Sequence, residues 1–224
     1  MTPGHVLIPT GESPRYLAFY HCITRLILPP GTQVRWLMSN VPAKAMNESL
    51  AQVKAAGGWA WIIGDDHTFA PDIVLRLLAR GLDAVLPLCL DRQRFMPTFW
   101  IERGGQPHRP ELWELPTSGL VSIWGGGDAG LLLSERAIAH SGPPWYPTVR
   151  TSVQFGQIDR EPSEDVNMTR RLVEAGISVF ADLDTSLGHV LPLSLTPTLQ
   201  GGRWVRSLMS GEQELGKLTE RSFS

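Results

Sequence analysis

The stretch WAWIIGDDHTFAPDIVLRLL, Trp59–Leu78, runs an apolar segment into two adjacent aspartates and a histidine and then turns at once to helical spacing. Trp59 to Ile63 reads as a short buried strand, too brief for a helix and ended by Gly64. Pro71 suits the first helical position, where a backbone N–H would have no partner anyway, and Gly81 closes the helix. A strand that hands acidic residues to a loop just before a helix is the local pattern of an α/β sheet, whose ligands gather at the carboxyl ends of its strands.

The same unit repeats on either side. HVLIP (5–9) is a strand, and SPRYLAFYHCITRLIL (13–28) has helical spacing until Pro29 and Pro30 stop it. QVRWLMS (33–39) is the second strand; Asn40 and Pro42 open a helix through residue 56, which Gly57 and Gly58 end. DAVLPLC (83–89) is the fourth strand, counting WAWII as the third. This alternation predicts an α/β fold with a mainly parallel central sheet flanked by helices on both faces.

Beyond residue 90 the pattern loosens. Residues 91–120 are rich in Pro, Arg and Gly and predict edge strands and loops, whereas GLVSIWGGGDAGLLLSERAIAHSG (119–142) reads as strand, glycine-rich turn, strand and short helix. Residues 143–162 show no period and predict a long loop. SEDVNMTRRLVEAG (163–176) is a helix capped by Ser163, with Met168, Leu172 and Ala175 on one face and Gly176 as its stop. ISVFAD (177–182) is a strand and LDTSLGHV (183–190) the loop after it. Residues 1–190 thus form one predicted domain, and 191–224 a tail with one short amphipathic helix near EQELGKL (212–218).

The 224 residues carry 20 basic and 22 acidic side chains, so no basic field exists to hold a nucleic-acid backbone. Cys22 and Cys89, the two cysteines, have no metal-ligand spacing in sequence and read as small apolar residues of a reducing compartment. No run approaches the roughly 18 apolar residues that span a bilayer, and the N-terminal apolar burst is too short for a secretory signal. These features predict a soluble, cytoplasmic protein with no membrane span.

Asp65, Asp66 and His67 stand at a strand end, where carboxylate oxygens and an imidazole can hold a divalent cation and so neutralise a bound diphosphate. Loop and cap chemistry would also account for an Asp pair before a helix. His189 follows Gly188 at the end of another strand segment and is a second candidate ligand. Glu164 and Asp165 lie in a first helical turn, which the helix dipole favours in any case; one of them in a crevice would be a general base. Of the eight tryptophans, Trp36, Trp59 and Trp61 read as core, while Trp124 and Trp145 are candidates for contact with a sugar ring.

In order, LIPTGE (7–12), Asn47, WAWIIGDDH, GGGDAGLLLSERAI, PPWY, SEDVNMTRRLVEAGISVF and LGHV resemble the GT-A-fold glycosyltransferases, particularly the family 2 group and its small phage and bacterial members. The likeness runs from about His5 to Val190. It implies the GT-A (nucleotide-diphospho-sugar transferase-like) fold, a nucleotide-sugar donor (UDP- or GDP-sugar), a glycan or other hydroxyl acceptor, and Mn2+ or Mg2+ as cofactor. On the matching residues it implies that Pro9, Thr10 and Glu12 face the base, that Asn47 lies near the nucleoside, and that Asp65 lies near the ribose or sugar. Asp66 and His189 would hold the metal, with His67 as an alternative ligand if Asp65-x-His67 is the motif. Gly127 and Asp128 would flank the donor sugar. Asp165 would be the base of an inverting reaction, supported by Glu164. The sequence departs from the family at Gly64, where many members carry an acid, and in SNVPAK (39–44), which lacks the usual aspartate. A retaining transferase, a sugar-phosphate nucleotidyltransferase and a non-catalytic sugar-binding module are the rival readings.

Overall fold

The computed structural model describes residues 3–10, 16–39, 41–92, 94–127, 129–147, 152–154, 157–159, 164–191, 194–200, 203–210 and 213–218. The chain divides into two compact units, Met1–His189 and Val190–Ser224.

In the first unit β1 (Gly4–Thr10), α1 (Leu17–Ile23), β2 (Gln33–Met38), α2 (Pro42–Ala56) and β3 (Trp59–Ile62) follow in turn. Then come β4 (His67–Thr68), α3 (Ile73–Ala79), β5 (Ala84–Leu88), β6 (Phe99–Arg103), β7 (Gln106–His108), β8 (Leu120–Ser122), β9 (Gly125–Gly126) and β10 (Leu131–Leu133). The rest are α4 (Glu135–Ser141), β11 (Ser152–Gln154), β12 (Gln157–Asp159), α5 (Glu164–Glu174), β13 (Val179–Ser186) and β14 (Gly188–His189). A seven-stranded sheet has the order β2-β1-β3-β10-β5-β13-β8. Five of its strands point one way; β10 and β8 run against them.

Side-chain alternation along each strand builds two cores, one per face. Leu7, Ile62, Leu86 and Leu133 pack with Met46 and Leu50 of α2, Ile138 of α4, and Met168 and Leu172 of α5. Val6, Ile8, Trp61, Val85 and Leu132 pack on the other face with Phe19 of α1 and Ile73, Val74 and Leu77 of α3. Trp61 is fully buried, meets Phe69 edge to face at 5.3 Å, and donates its indole N–H to Gly130 O at 2.9 Å. The helices therefore cover both faces, as the repeat predicts.

Several elements differ from the sequence expectation. α1 stops at Ile23 rather than running to Leu28; Thr24 follows as its C-cap residue, with its hydroxyl donating to Tyr20 O at 2.9 Å. Pro71 stays in the turn before α3, where its carbonyl accepts from Ile27 N–H. The segment expected as a long loop contains the antiparallel pair β11–β12, and the loop expected after residue 182 instead extends β13 to Ser186 and then forms β14. Trp36 lies on the edge strand β2 with 39 % of its surface exposed, stacked on Tyr20.

In the second unit β15 (Ser194–Gln200), β16 (Arg203–Ser210) and β17 (Gln213–Leu218) form an antiparallel sheet. The amphipathic helix expected near EQELGKL is thus a strand. Apolar residues three apart suggest a helix, but Gly216 disfavours one by about 1 kcal/mol relative to Ala, and the ladder to β16 supplies partners from elsewhere in the chain. No helix among the described residues is long and apolar enough to cross a membrane.

Candidate active site

The site forms at the carboxyl end of β3. There the backbone continues one more residue in register, Ile63 N–H donating to Leu7 O, before Gly64 releases the chain into the Asp65–Asp66–His67 loop. β4 then pairs antiparallel with β14, placing His189 directly opposite His67. Gly188 is required for this approach, since a Cβ there would lie 2.3 Å from Thr68 Oγ1. The two imidazoles stack with centroids 4.5 Å apart and planes inclined by 24°.

Asp66 bridges the pair. Its Oδ1 lies 2.9 Å from His67 Nδ1, and its Oδ2 lies 3.3 Å from His189 Nε2 and 3.2 Å from Arg92 Nη1. His67 Nδ1 also approaches Gly64 O at 3.2 Å, and His189 Nδ1 approaches Leu90 O at 2.9 Å. Carbonyl oxygens only accept, so both histidines carry the proton on Nδ1 and keep a lone pair on Nε2 when neutral. The lone pair of His189 then faces a carboxylate oxygen, an arrangement that calls for a positive charge between them, either a proton or a cation. His67 Nε2 is buried, with no hydrogen-bond partner among the described residues. Burial opposes ionisation of Asp66, but the hydrogen bonds to His189 and His67 outweigh it and hold the carboxyl well below its usual range. An ionised Asp66 carboxylate facing the His189 Nε2 lone pair fits a divalent metal, while the His67 lone pair lies on the ring edge away from Asp66. Cys89, immediately after β5, lies close enough that its sulfur and one nitrogen from each of His67 and His189 fall within 4.8 Å of one another. Burial, and then the Asp66 charge, push its thiol up to about 12, so it is a neutral thiol in this state.

A cavity of about 390 Å³ opens in front of Asp66, within the size range of small-molecule sites. Asp165, in the first turn of α5, lines it together with Gly127. The Asp165 Oδ1 accepts from Val166 N–H at 2.8 Å. A Cβ at position 127 would come within 3.1 Å of Asp165 Oδ2, so glycine here keeps the second oxygen clear. The glycine-rich turn is fixed to α5 by Thr169, whose buried hydroxyl accepts from Gly126 N–H at 2.8 Å and donates to Gly126 O at 2.7 Å. Also in the lining, the Arg109 guanidinium sits 5.1 Å above the Trp100 ring, donates to Pro97 O and pairs with Asp91.

Of the residues singled out in the sequence, Pro9, Asp66, His67, Gly127, Asp165 and His189 line this cavity. Asp65 does not. Thr10 is buried and also away from the lining. Asn47 is committed elsewhere: its Nδ2 donates to Tyr146 O at 2.7 Å and its Oδ1 accepts from Tyr146 N–H at 2.9 Å. Glu12, Asp128 and the side chain of Glu164 lie outside the described residues. Trp145 is 2 % exposed and donates to Ile138 O, which makes it core, while Trp124 is covered by the Arg170 guanidinium at 4.0 Å. The sequence reading missed Cys89, Arg92, Trp100 and Arg109. A signal existed for Cys89 and Arg92: they flank the carboxyl end of the fourth strand, a position equivalent to that of the Asp pair after the third.

The architecture is the GT-A fold. No protein-family model matches the chain, and no curated protein sequence matches it. Among solved structures, A197 from STIV is similar with TM-score 0.61 and 12 % identity over 97 % of this chain and 98 % of that one. GalNAc-T7, solved with UDP, GalNAc and Mn2+, matches with TM-score 0.54 and 9 % identity over 84 % of this chain. S. aureus TarS 1-349 matches with TM-score 0.54 and 11 % identity, again over 84 %. The match spans only 44 % of the GalNAc-T7 chain and 60 % of the TarS chain.

Proposed function

We propose that the chain is a metal-dependent glycosyltransferase that moves a sugar from a nucleoside-diphosphate donor to an acceptor hydroxyl with inversion. The observation that carries this reading is the convergence of Asp66, His67 and His189 at a cavity that Asp165 also lines. The similarity to GalNAc-T7, a structure containing UDP, GalNAc and Mn2+, agrees with it.

A divalent cation held by Asp66 and His189, with His67 beside them, would neutralise the diphosphate as its charge grows on departure. Arg92, next to Asp66, supplies further positive charge on the same side. Asp165 accepts the proton of the acceptor hydroxyl as that oxygen bonds to the anomeric carbon, and the bond from that carbon to the diphosphate oxygen breaks with its electron pair. The Val166 N–H, donating to Asp165 Oδ1, orients the carboxylate for this step. Trp100 offers an apolar face to a sugar ring, with Arg109 behind it. Pro9, near the end of β1, lines the same cavity and would meet the donor's base.

The test is incubation with a panel of UDP- and GDP-sugars in the presence of Mn2+ while nucleoside diphosphate release is measured. Release by the native chain and its loss in Asp66→Ala are expected. Pyrophosphate exchange in place of diphosphate release would assign a nucleotidyltransferase, and donor binding with no release would make the chain a binding module.

A further inference from the structure

We infer that Cys89 is a further ligand of the cation assigned to Asp66 and the two histidines, adding a thiolate to the centre so that it selects a borderline cation such as Zn2+ over Mn2+ or Mg2+; this rests on reading Asp66, His67 and His189 as the metal centre. Three observations lead to it. The Cys89 sulfur and one nitrogen of each histidine already lie within 4.8 Å of one another. Ligand atoms around tetrahedral zinc lie roughly 3.3–3.6 Å apart, so a contraction of about 1 Å closes the set. His67 Nε2, on a side chain 6 % exposed, has its lone pair buried with no partner among the described residues. A buried acceptor without a donor costs on the order of 1–3 kcal/mol, and a cation at this nitrogen removes that cost. Finally, the Nδ1 side of His67 is held by the Asp66 carboxylate and that of His189 by Leu90 O. Outer contacts of this kind orient imidazoles whose other nitrogen binds a metal.

The ligand chemistry decides the ion. Mg2+ and Mn2+ prefer oxygen, and a thiolate adds little for them, whereas Zn2+ and Co2+ gain from sulfur. The ion has a path in, because Asp66 and His189 line the open cavity while Cys89 closes the site from within. On binding, the sulfur–metal bond forms as the S–H bond breaks, the proton leaves to solvent, and no oxidation state changes.

The test is absorption spectroscopy of the full chain, stripped of metal and titrated with Co2+. A thiolate-to-cobalt charge-transfer band in the near ultraviolet is expected in the native chain and in Cys22→Ser, and absent in Cys89→Ser. With only two cysteines in the chain, the band in Cys22→Ser locates the sulfur at Cys89 even if Cys89→Ser does not fold. In a folded Cys89→Ser, Zn2+ affinity falls by at least about tenfold, while Mn2+ affinity changes much less. Co2+ bound without the band, or no Co2+ bound, overturns the inference. Donor turnover with Mn2+ is followed in a separate arm: turnover without the band sinks the thiolate ligand alone, and the band without turnover under any cation sinks the transferase reading alone.

Discussion

Asn47→Ala separates two roles for one side chain. If Asn47 acts on a nucleoside, as the family resemblance implies, its removal weakens donor binding; if its role is the pair of hydrogen bonds to Tyr146, its removal weakens the fold. Both bonds are short, at 2.7 and 2.9 Å, and they satisfy the two backbone polar groups of a residue that is 2 % exposed. Leaving a buried backbone group unsatisfied costs about 1–3 kcal/mol. Asn47 is itself half-buried, so water reaches part of the vacated space and the two groups together cost about 2–4 kcal/mol. For a unit of this size that lowers the melting temperature by roughly 4–16 °C. Asn47→Asp keeps the acceptor for Tyr146 N–H but sets a carboxylate oxygen against Tyr146 O, and should cost at least as much as Asn47→Ala. Urea and thermal unfolding followed by tryptophan fluorescence report the change, since Trp59, Trp61 and Trp145 are all buried. An unchanged melting temperature combined with a raised donor KM would refute the reasoning and return Asn47 to the nucleoside.

Asp165→Asn keeps the side-chain shape but not the basicity; donor binding should persist while transfer falls by about 10²–10⁴-fold, and single-turnover kinetics separate the two. Unchanged transfer would remove Asp165 from the base role. In Gly64→Ala the new Cβ would sit 3.0 Å from Asp66 Oδ1 and 3.2 Å from His67 Nδ1. The carboxylate must shift, so metal affinity, read by calorimetric titration, should drop by about tenfold or more with the fold intact. Asp83 is held below the usual carboxylate range by Arg136, against the opposing effect of burial and with help from Ser134. Its contribution to stability is complete above the unfolded-state pKa of about 4 and is lost as pH falls through the lower folded-state value. Asp83→Asn should therefore be less stable than the native chain at pH 7, with the gap shrinking toward pH 3; equal gaps in urea midpoint at both pH values would contradict this.

The strands and helices of the first half were legible because their signals are local. A five-residue apolar run such as WAWII, or a helix closed by Gly57, carries its period and its stop within a few neighbours. Asp66 and Asp165 were legible as candidates for the same reason: a strand end and a first helical turn are positions readable in one dimension. The errors fall where partners are distant. EQELGKL has weak helical spacing, but its backbone hydrogen bonds go to β16. Trp145 was a candidate for sugar contact until the carbonyl of Ile138 and the core around it claimed the indole.

By itself, the sequence determined an alternating α/β chain, a sheet covered on both faces, and acids and histidines at its strand ends, because periodicity, turn residues and charge are properties of neighbours. Only the tertiary structure decided that His189 lies opposite His67, that Arg92 and Cys89 join them, and that Asn47 clasps Tyr146. Those contacts, with that of His189 to Asp66, join segments as much as 123 residues apart. Their register is fixed by the packing of whole strands and helices, and no short window of residues contains that information.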